Sequence, residues 1–303
     1  MHVEQSINIE APADKIYKVI SDFNDWKPWS PWLLMEPKAK VTIAADSKSY
    51  EWEGSRIGSG RMKITEAKEN KFISYDLDFL KPRKSHANTN FTLSQEGDTT
   101  KATWKMDSSL PFFLFFMKKM IKAYIGADYE RGLEMLKAYI EFGEVPSKLD
   151  FMGIQSFEET QLVGIKTTCS IPRMEEQMES DFGKVIDYAV GKDLQVKKMM
   201  TIYHKWDIPK KKATYTAALG IEGTSDNLPE ELISGTIPNT TCYVLKHTGR
   251  YQHLGNAWST LYAMTRNKEI RYNKKIAPFE IYLNNPQATA EKDLETEVYF
   301  PVR

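Results

Sequence analysis

Residues Ala277–Pro286 read AlaProPheGluIleTyrLeuAsnAsnPro. Inside the bracketing prolines, Phe279–Leu283 is apolar or aromatic apart from Glu280. Strand alternation sets Glu280 and Tyr282 on one face and Phe279, Ile281 and Leu283 on the other. The second set anchors the strand, while a carboxylate and a phenol point together from the first. If that face borders a cavity, Glu280 is a desolvated charge that needs a cation, hydrogen-bond donors or a proton. If it borders solvent, Glu280 is an edge-strand glutamate in water. Periodicity alone leaves both readings open.

Around this stretch the order strand–helix–strand–strand occurs twice. The first set is Ser156–Cys169, Arg173–Val190, Met199–Trp206 and Ala213–Ile221, the helix carrying Met174, Met178, Phe182, Val185 and Ala189 on one face. The second is Thr241–Thr248, Gln252–Met264, Pro278–Leu283 and Glu295–Pro301. ThrIleTyrHisLysTrp at Thr201–Trp206 echoes PheGluIleTyrLeuAsn at Phe279–Asn284, aligning Tyr203 with Tyr282. An internal repeat of this kind predicts a duplicated βαββ unit with a groove where its halves meet.

With GluThrGluValTyrPheProVal at Glu295–Val302, this part resembles a GyrI-like domain, the effector-binding domain of AraC- and MerR-type multidrug-sensing regulators. The resemblance runs over Phe151–Arg303. It implies Glu280 as the charged floor of a groove for cationic ligands, with aromatics around it: Tyr203, Tyr282, Tyr299, Trp206 and Trp258, and Tyr243 as a further choice. Cation–π contact with such rings contributes about 0.5–2 kcal/mol. Those regulators couple the module to a helix-turn-helix. Nothing in this sequence reads as one, so direct DNA binding is not expected.

The first half has a different pattern. Val3–Ile9 alternates, Pro12 suits a turn or first helical position, and Ile16, Tyr17, Val19 and Ile20 take helical spacing. Strand-like segments follow at Ser49–Gly54, Gly60–Ala67, Phe72–Phe79, Ser85–Ser94 and Thr99–Met106, with breaks at Gly58–Gly60 and Glu96–Asp98. Their even spacing predicts an antiparallel meander. Asp128–Phe142 reads as an amphipathic helix with Tyr129, Leu133, Leu136 and Ile140 as its buried stripe.

IleGluAlaProAlaAspLysIleTyrLysValIle at Ile9–Ile20, AspPheAsnAspTrp at Asp22–Trp26, TrpSerProTrp at Trp29–Trp32 and AspTyrGluArgGlyLeuGluMetLeuLys at Asp128–Lys137 resemble the SRPBCC (START-like, polyketide cyclase-related) superfamily. That resemblance covers Met1–Phe142 and implies a helix-grip fold around an internal cavity. Candidate lining residues are Trp29, Trp32, Trp52, Tyr75, Phe91 and Trp104, each of which also reads as ordinary core. The expected architecture is therefore α+β: a helix-grip domain over 1–145, then a duplicated βαββ, GyrI-like domain over 146–303. Gly143 and Pro146 mark the join.

Composition narrows the function. Hydrophobic content of 41% supports folded cores, and Lys plus Arg balance Asp plus Glu at 41 each, so net charge does not steer the chain toward nucleic acid. The apolar run Leu110–Met117 is too short to span a bilayer and ends in Lys118–Lys119. MetHisValGluGlnSerIle shows no signal-peptide pattern, and the two cysteines, Cys169 and Cys242, make neither a disulfide framework nor a metal set. A cytoplasmic protein with no cofactor, no metal and no membrane partner is expected, its oligomeric state open.

Three functions fit. The first is binding or sensing of a lipophilic, cationic small molecule at Glu280, with a second apolar ligand in the N-terminal cavity. The second, implied by the GyrI-like resemblance, is hydrolysis of strained electrophiles with Glu280 as general base. The third is polyketide cyclase-like or lipid-transfer activity in the N-terminal domain.

Overall fold

Trp104 is the ring around which the first half of the chain assembles. The structure, a computed structural model, describes residues 1–110, 112–225 and 227–303, which divide into two units, Met1–Pro146 and Ser147–Arg303. Pro111, in the Leu110–Met117 run, lies outside the described residues.

The first unit contains β1 (His2–Ile9), α1 (Ala13–Ser21), α2 (Pro31–Met35), β2 (Lys40–Ile43), β3 (Ser49–Glu53), β4 (Ser59–Lys68), β5 (Phe72–Lys81), β6 (Ser85–Glu96), β7 (Thr99–Ser108) and α3 (Lys118–Phe142). The strands form one sheet in the order β1-β7-β6-β5-β4-β3-β2, antiparallel throughout. Pro12 caps α1 in an extended conformation, and Ala13, Ile16 and Ile20 form its buried face. Trp26 Nε1 and Tyr75 Oη both donate to the Ile20 carbonyl, at 3.0 and 2.7 Å. They satisfy an acceptor that the end of the helix leaves open.

α3 begins ten residues before the expected Asp128 and stops at Gly143, whose φ of +77° suits glycine. Tyr129 on α3 stacks on Trp104 at 4.1 Å between centroids, and Phe91 stacks on Trp104 at 4.7 Å. Thr89 Oγ1 accepts from Trp104 Nε1 at 2.8 Å and bonds the Tyr129 hydroxyl at 3.0 Å. The six rings expected to line a cavity belong to this same packing. Trp29 and Trp32 meet Trp104 edge-on, Tyr75 meets Phe91, and Trp52 joins through Tyr50 and Phe79. The Trp29 indole N–H has no partner among the described residues.

The second unit contains β8 (Ser147–Phe157), β9 (Thr160–Ser170), α4 (Met174–Gly191), β10 (Val196–Asp207), β11 (Lys212–Ile221), β12 (Ile233–Ile237), β13 (Thr240–Gly249), α5 (Gly255–Arg266), β14 (Phe279–Tyr282) and β15 (Glu295–Pro301). Its antiparallel sheet runs β12-β9-β11-β10-β14-β15-β13-β8. The sheet therefore centres on the β10–β14 pair, where Thr201 lies opposite Glu280 and Ile202 opposite Phe279.

The alternation in β14 divides two layers. Phe279 and Ile281 join Phe157, Met200, Ile202, Val244 and Ile237 in one apolar cluster. On the opposite face α4 seats Val185 and Ala189 on Val163, Ile165, Leu219 and Ile221. Strands β2, β8 and β12 were not expected from the sequence; all three are edge strands.

Helix α3 makes one packing requirement testable. A Cβ on Gly132 would sit 2.8 Å from the Trp104 ring, whereas one on Gly183 of α4 meets nothing within 4 Å. Alanine is favoured over glycine in a helix by about 1 kcal/mol, but overpacking against a buried, stacked indole costs about 1–3 kcal/mol. Gly132→Ala is expected to lower stability in urea unfolding and Gly183→Ala to raise it. Equal gains at both positions would show that Trp104 does not press on α3.

Candidate functional site

β14 delivers Glu280 to the helix-covered face at the centre of the second sheet. Glu280 is 1% exposed. Trp258, projecting from α5, donates Nε1–H to Oε1 at 2.5 Å. Tyr203 from β10 and Tyr282 from the same strand as Glu280 donate their hydroxyls to Oε2 at 2.8 and 3.0 Å. Thr201, directly across on β10, bonds the Tyr282 hydroxyl at 2.9 Å. Among the described residues no lysine or arginine pairs with this carboxylate.

The electrostatics follow from that set. Burial pushes the Glu280 carboxyl up and the three donors pull it back, leaving it at about 7. Tyr203 and Tyr282 are held well above the usual phenol value, first by burial and then by the charge of Glu280. Both stay protonated and act as donors.

Rings surround the carboxylate on several sides. Trp206 stacks on Tyr203 at 5.2 Å, and Trp258 meets Tyr203 edge-on at 5.0 Å. A bulge between Tyr203 and Lys205 turns Trp206 onto the face of Tyr203. Phe182 from α4 and Tyr251 each meet Tyr282 edge-on, and half-exposed Tyr262 stacks on Trp258. Tyr251 is pushed up to about 12, by burial first and then by Glu280. Four of the candidates, Tyr203, Tyr282, Trp206 and Trp258, thus stand with Glu280.

Tyr299 and Tyr243 do not join them. Strand register places Val298 opposite Glu280 and Tyr299 opposite Phe279. Tyr299 therefore stacks on Phe279 in the other layer, and its hydroxyl donates to Glu297 at 2.7 Å. Tyr243 lies two strands away on β13, paired with Phe300 and Ile154.

Sequence reading missed Phe182, Tyr251 and Thr201, and two further buried polar groups. Asp181 on α4 accepts from Tyr215 Oη and Gln177 Nε2, each at 2.9 Å; Tyr215 is the direct cross-strand partner of Tyr203. His247 on β13 lies opposite Thr296, which lies opposite Tyr282. His247 Nε2 bonds Ser147 Oγ at 3.0 Å. Its Nδ1 and Thr296 Oγ1 have no partner among the described residues. Burial, and then His253, push His247 down to about 4. Among the described residues no group of three or more His, Cys, Asp or Glu could hold a metal ion.

Two family models match the chain. The GyrI-like small molecule binding domain matches residues 152–303, and the polyketide cyclase / dehydrase and lipid transport family matches residues 1–141. The chain thus joins an SRPBCC-type segment to a GyrI-like one. No curated protein matches it. Among solved structures, the EcmrR C-terminal domain aligns at 19% identity over 52% of this chain and 98% of that one, with a TM-score of 0.43. An EcmrR–DNA complex aligns at 17% identity over 62% and 69%, with a TM-score of 0.43. The Aha1 dimer from Colwellia psychrerythraea aligns at 17% identity over 47% and 98%, with a TM-score of 0.35.

The raised carboxyl has a stability consequence with a definite sign. The unfolded chain loses the Glu280 proton near 4.5 and the folded chain near 7, so ionisation opposes folding as pH rises between them. Glu280→Gln removes that opposition. Its stability relative to wild type is expected to rise by about 3 kcal/mol from pH 4.5 to pH 8, measured by urea unfolding at each pH. A difference that stays flat with pH would mean the carboxyl is not raised by burial.

Proposed function

We propose that the second unit, through which the chain belongs to the GyrI-like small molecule binding domain family, binds a lipophilic, cationic small molecule around Glu280. The observation that carries this reading is a buried carboxylate, ringed by Tyr203, Tyr282, Trp206 and Trp258, that three neutral donors hold without a cationic partner among the described residues. A delocalised cation gains from both the charge and the ring faces, and it loses little hydration on entering. The half-buried rings of Trp206, Phe182 and Tyr251 and the exposed Tyr262 form the approach.

Topology supports a duplicated architecture for this unit. β8-β9-α4-β10-β11 and β12-β13-α5-β14-β15 follow one order, and the sheet order corresponds from either edge. Each copy lends its first strand to the far edge of the other. In the first unit, α3 packed along the seven-stranded sheet supports the helix-grip reading.

The value of about 7 at Glu280 favours a second reading, hydrolysis of a strained electrophile. A carboxylate poised near neutral pH is matched to take a proton from water as the water oxygen attacks a ring carbon. The strained ring bond to that carbon breaks, and the released ring atom takes back the proton from the Glu280 carboxyl. Tyr203 and Tyr282 then orient the base. Turnover that Glu280→Gln abolishes while ligand still binds would select this reading over binding alone.

Cation binding requires the ionised carboxylate, so affinity is coupled to its proton. Titrating tetraphenylphosphonium into wild type is expected to show affinity falling about tenfold per pH unit below 7. Triphenylphosphine oxide, neutral and similar in shape, is expected to bind weakly and without that slope. Glu280→Gln is expected to erase the preference for the cation. Equal affinity of wild type for the two probes at pH 8 would overturn the reading.

A further inference from the structure

The first unit carries a surface that the Glu280 site does not use. Between Asp107 and Asp128 the sequence holds no acidic residue; it holds Lys118, Lys119 and Lys122 among Phe115, Phe116, Met117, Met120, Ile121 and Tyr124. In the structure Phe116 is 84% exposed, Phe115 and Tyr124 are 53% exposed, and Met120 is 38% exposed. Phe116, Met120 and Tyr124 recur every fourth residue, so the apolar stripe of this segment faces water. Lys118 and Lys122 repeat at the same interval beside it.

Position in the fold adds to this. Burial on α3 begins at Gly126, which lies against Gln5 and Val3 of β1. The preceding turns stand at the end of the sheet where β1 starts and β7 finishes, with His2 opposite Asp107. Register brings the β5–β6 hairpin to the same end, since Ala87 pairs with Ser108 and Phe79 with Ser85. That hairpin presents Leu80, 44% exposed, with Lys81, Arg83 and Lys84. Lys81 pairs with Glu53 at 3.2 Å. Among the described residues no carboxylate pairs with Arg83, Lys84, Lys118, Lys119 or Lys122.

We propose that this end of the first unit docks onto an anionic phospholipid bilayer, with Phe115, Phe116 and Met120 entering the headgroup boundary. The five unpaired cations then meet the phosphates. Charge selects this occupant. A second copy of the chain would cover the rings but would bring two sets of like charges together across a twofold axis. An anionic bilayer takes both the apolar and the basic residues. The run is too short to span, and among the described residues no helix is long and apolar enough to cross a membrane. Docking at the surface requires neither.

The test is co-sedimentation of the full chain with vesicles of phosphatidylcholine alone and of phosphatidylcholine mixed with phosphatidylglycerol. Wild type is expected to bind the anionic vesicles at least about tenfold more tightly, and to be released by high salt. Phe115→Ser with Phe116→Ser, and Lys118→Glu with Lys119→Glu, are each expected to reduce binding at least about tenfold. The melting temperature of the lysine variant should be unchanged, because Lys118 and Lys119 are exposed, and the phenylalanine variant should remain folded at the assay temperature. Equal binding to both vesicles, no binding, or reductions explained by unfolding would each overturn the proposal. A concentration-dependent dimer dissolved by the phenylalanine variant, with no vesicle binding, would assign the face to a second copy instead.

Discussion

Burying one carboxylate in the middle of an eight-stranded sheet is the constraint to which the second unit is fitted. An isolated ion there costs several kcal/mol even after the protein relaxes. Hydrogen bonds to charged groups each return about 1.5–3 kcal/mol, and Glu280 receives three. The donors come from α5, β10 and β14, so one group ties the position of a helix to the pairing of the two central strands. The offset is incomplete, which is why the carboxyl sits near 7. A residual deficit of this kind is what a cationic ligand would remove.

The central pair also limits the site to a single charge. Thr201 stands where a second carboxylate would face Glu280 across the β10–β14 ladder, at a cross-strand spacing where like charges repel. Threonine keeps that position neutral, and its hydroxyl bonds Tyr282, which in turn bonds Glu280. Tyr203 and Tyr282 each lie two residues beyond this pair on their own strands and converge on the same oxygen. One strand supplies the charge, and both supply its cover.

How much of this was legible depended on burial. The two-residue period of Phe279–Tyr282 announced which face would hold Glu280, because a central strand must sort its side chains fully. The edge strands carried a weaker signal, being short or only partly covered. β2 alternates only between exposed and half-buried positions and β12 buries Ile237 alone, so neither sorts its residues as sharply; β8 buries only Leu149 and Phe157. Tyr299 looked equivalent to Tyr282, yet the β14–β15 register reverses their faces, and register is a property of two strands rather than one. The start of α3 was hidden because Met120 and Tyr124 point outward, so apolar periodicity could not mark the helix. Asp181 and His247 carried no local signal, since their partners Tyr215 and Ser147 are 34 and 100 residues away. Trp104 poses the converse case. Its stacking partners Phe91 and Tyr129 come from separate elements, and a sequence cannot distinguish rings that line a space from rings that fill it.

Glu280 and His247 contribute opposite pH dependences to the stability of the second unit. Glu280 is raised from 4.5 to about 7, so the stability it permits is full below 4.5 and lost as pH rises to 7. His247 is lowered from 6.5 to about 4, so its stability is full above 6.5 and lost as pH falls to 4. Each amounts to about 3 kcal/mol, over nearly the same interval and with opposite sign. Between pH 4.5 and 6.5 these two contributions therefore offset each other. Within that window the cost of holding the Glu280 carboxyl near 7 is offset at His247, and a cationic ligand that favours the ionised carboxylate would release the Glu280 proton to solvent.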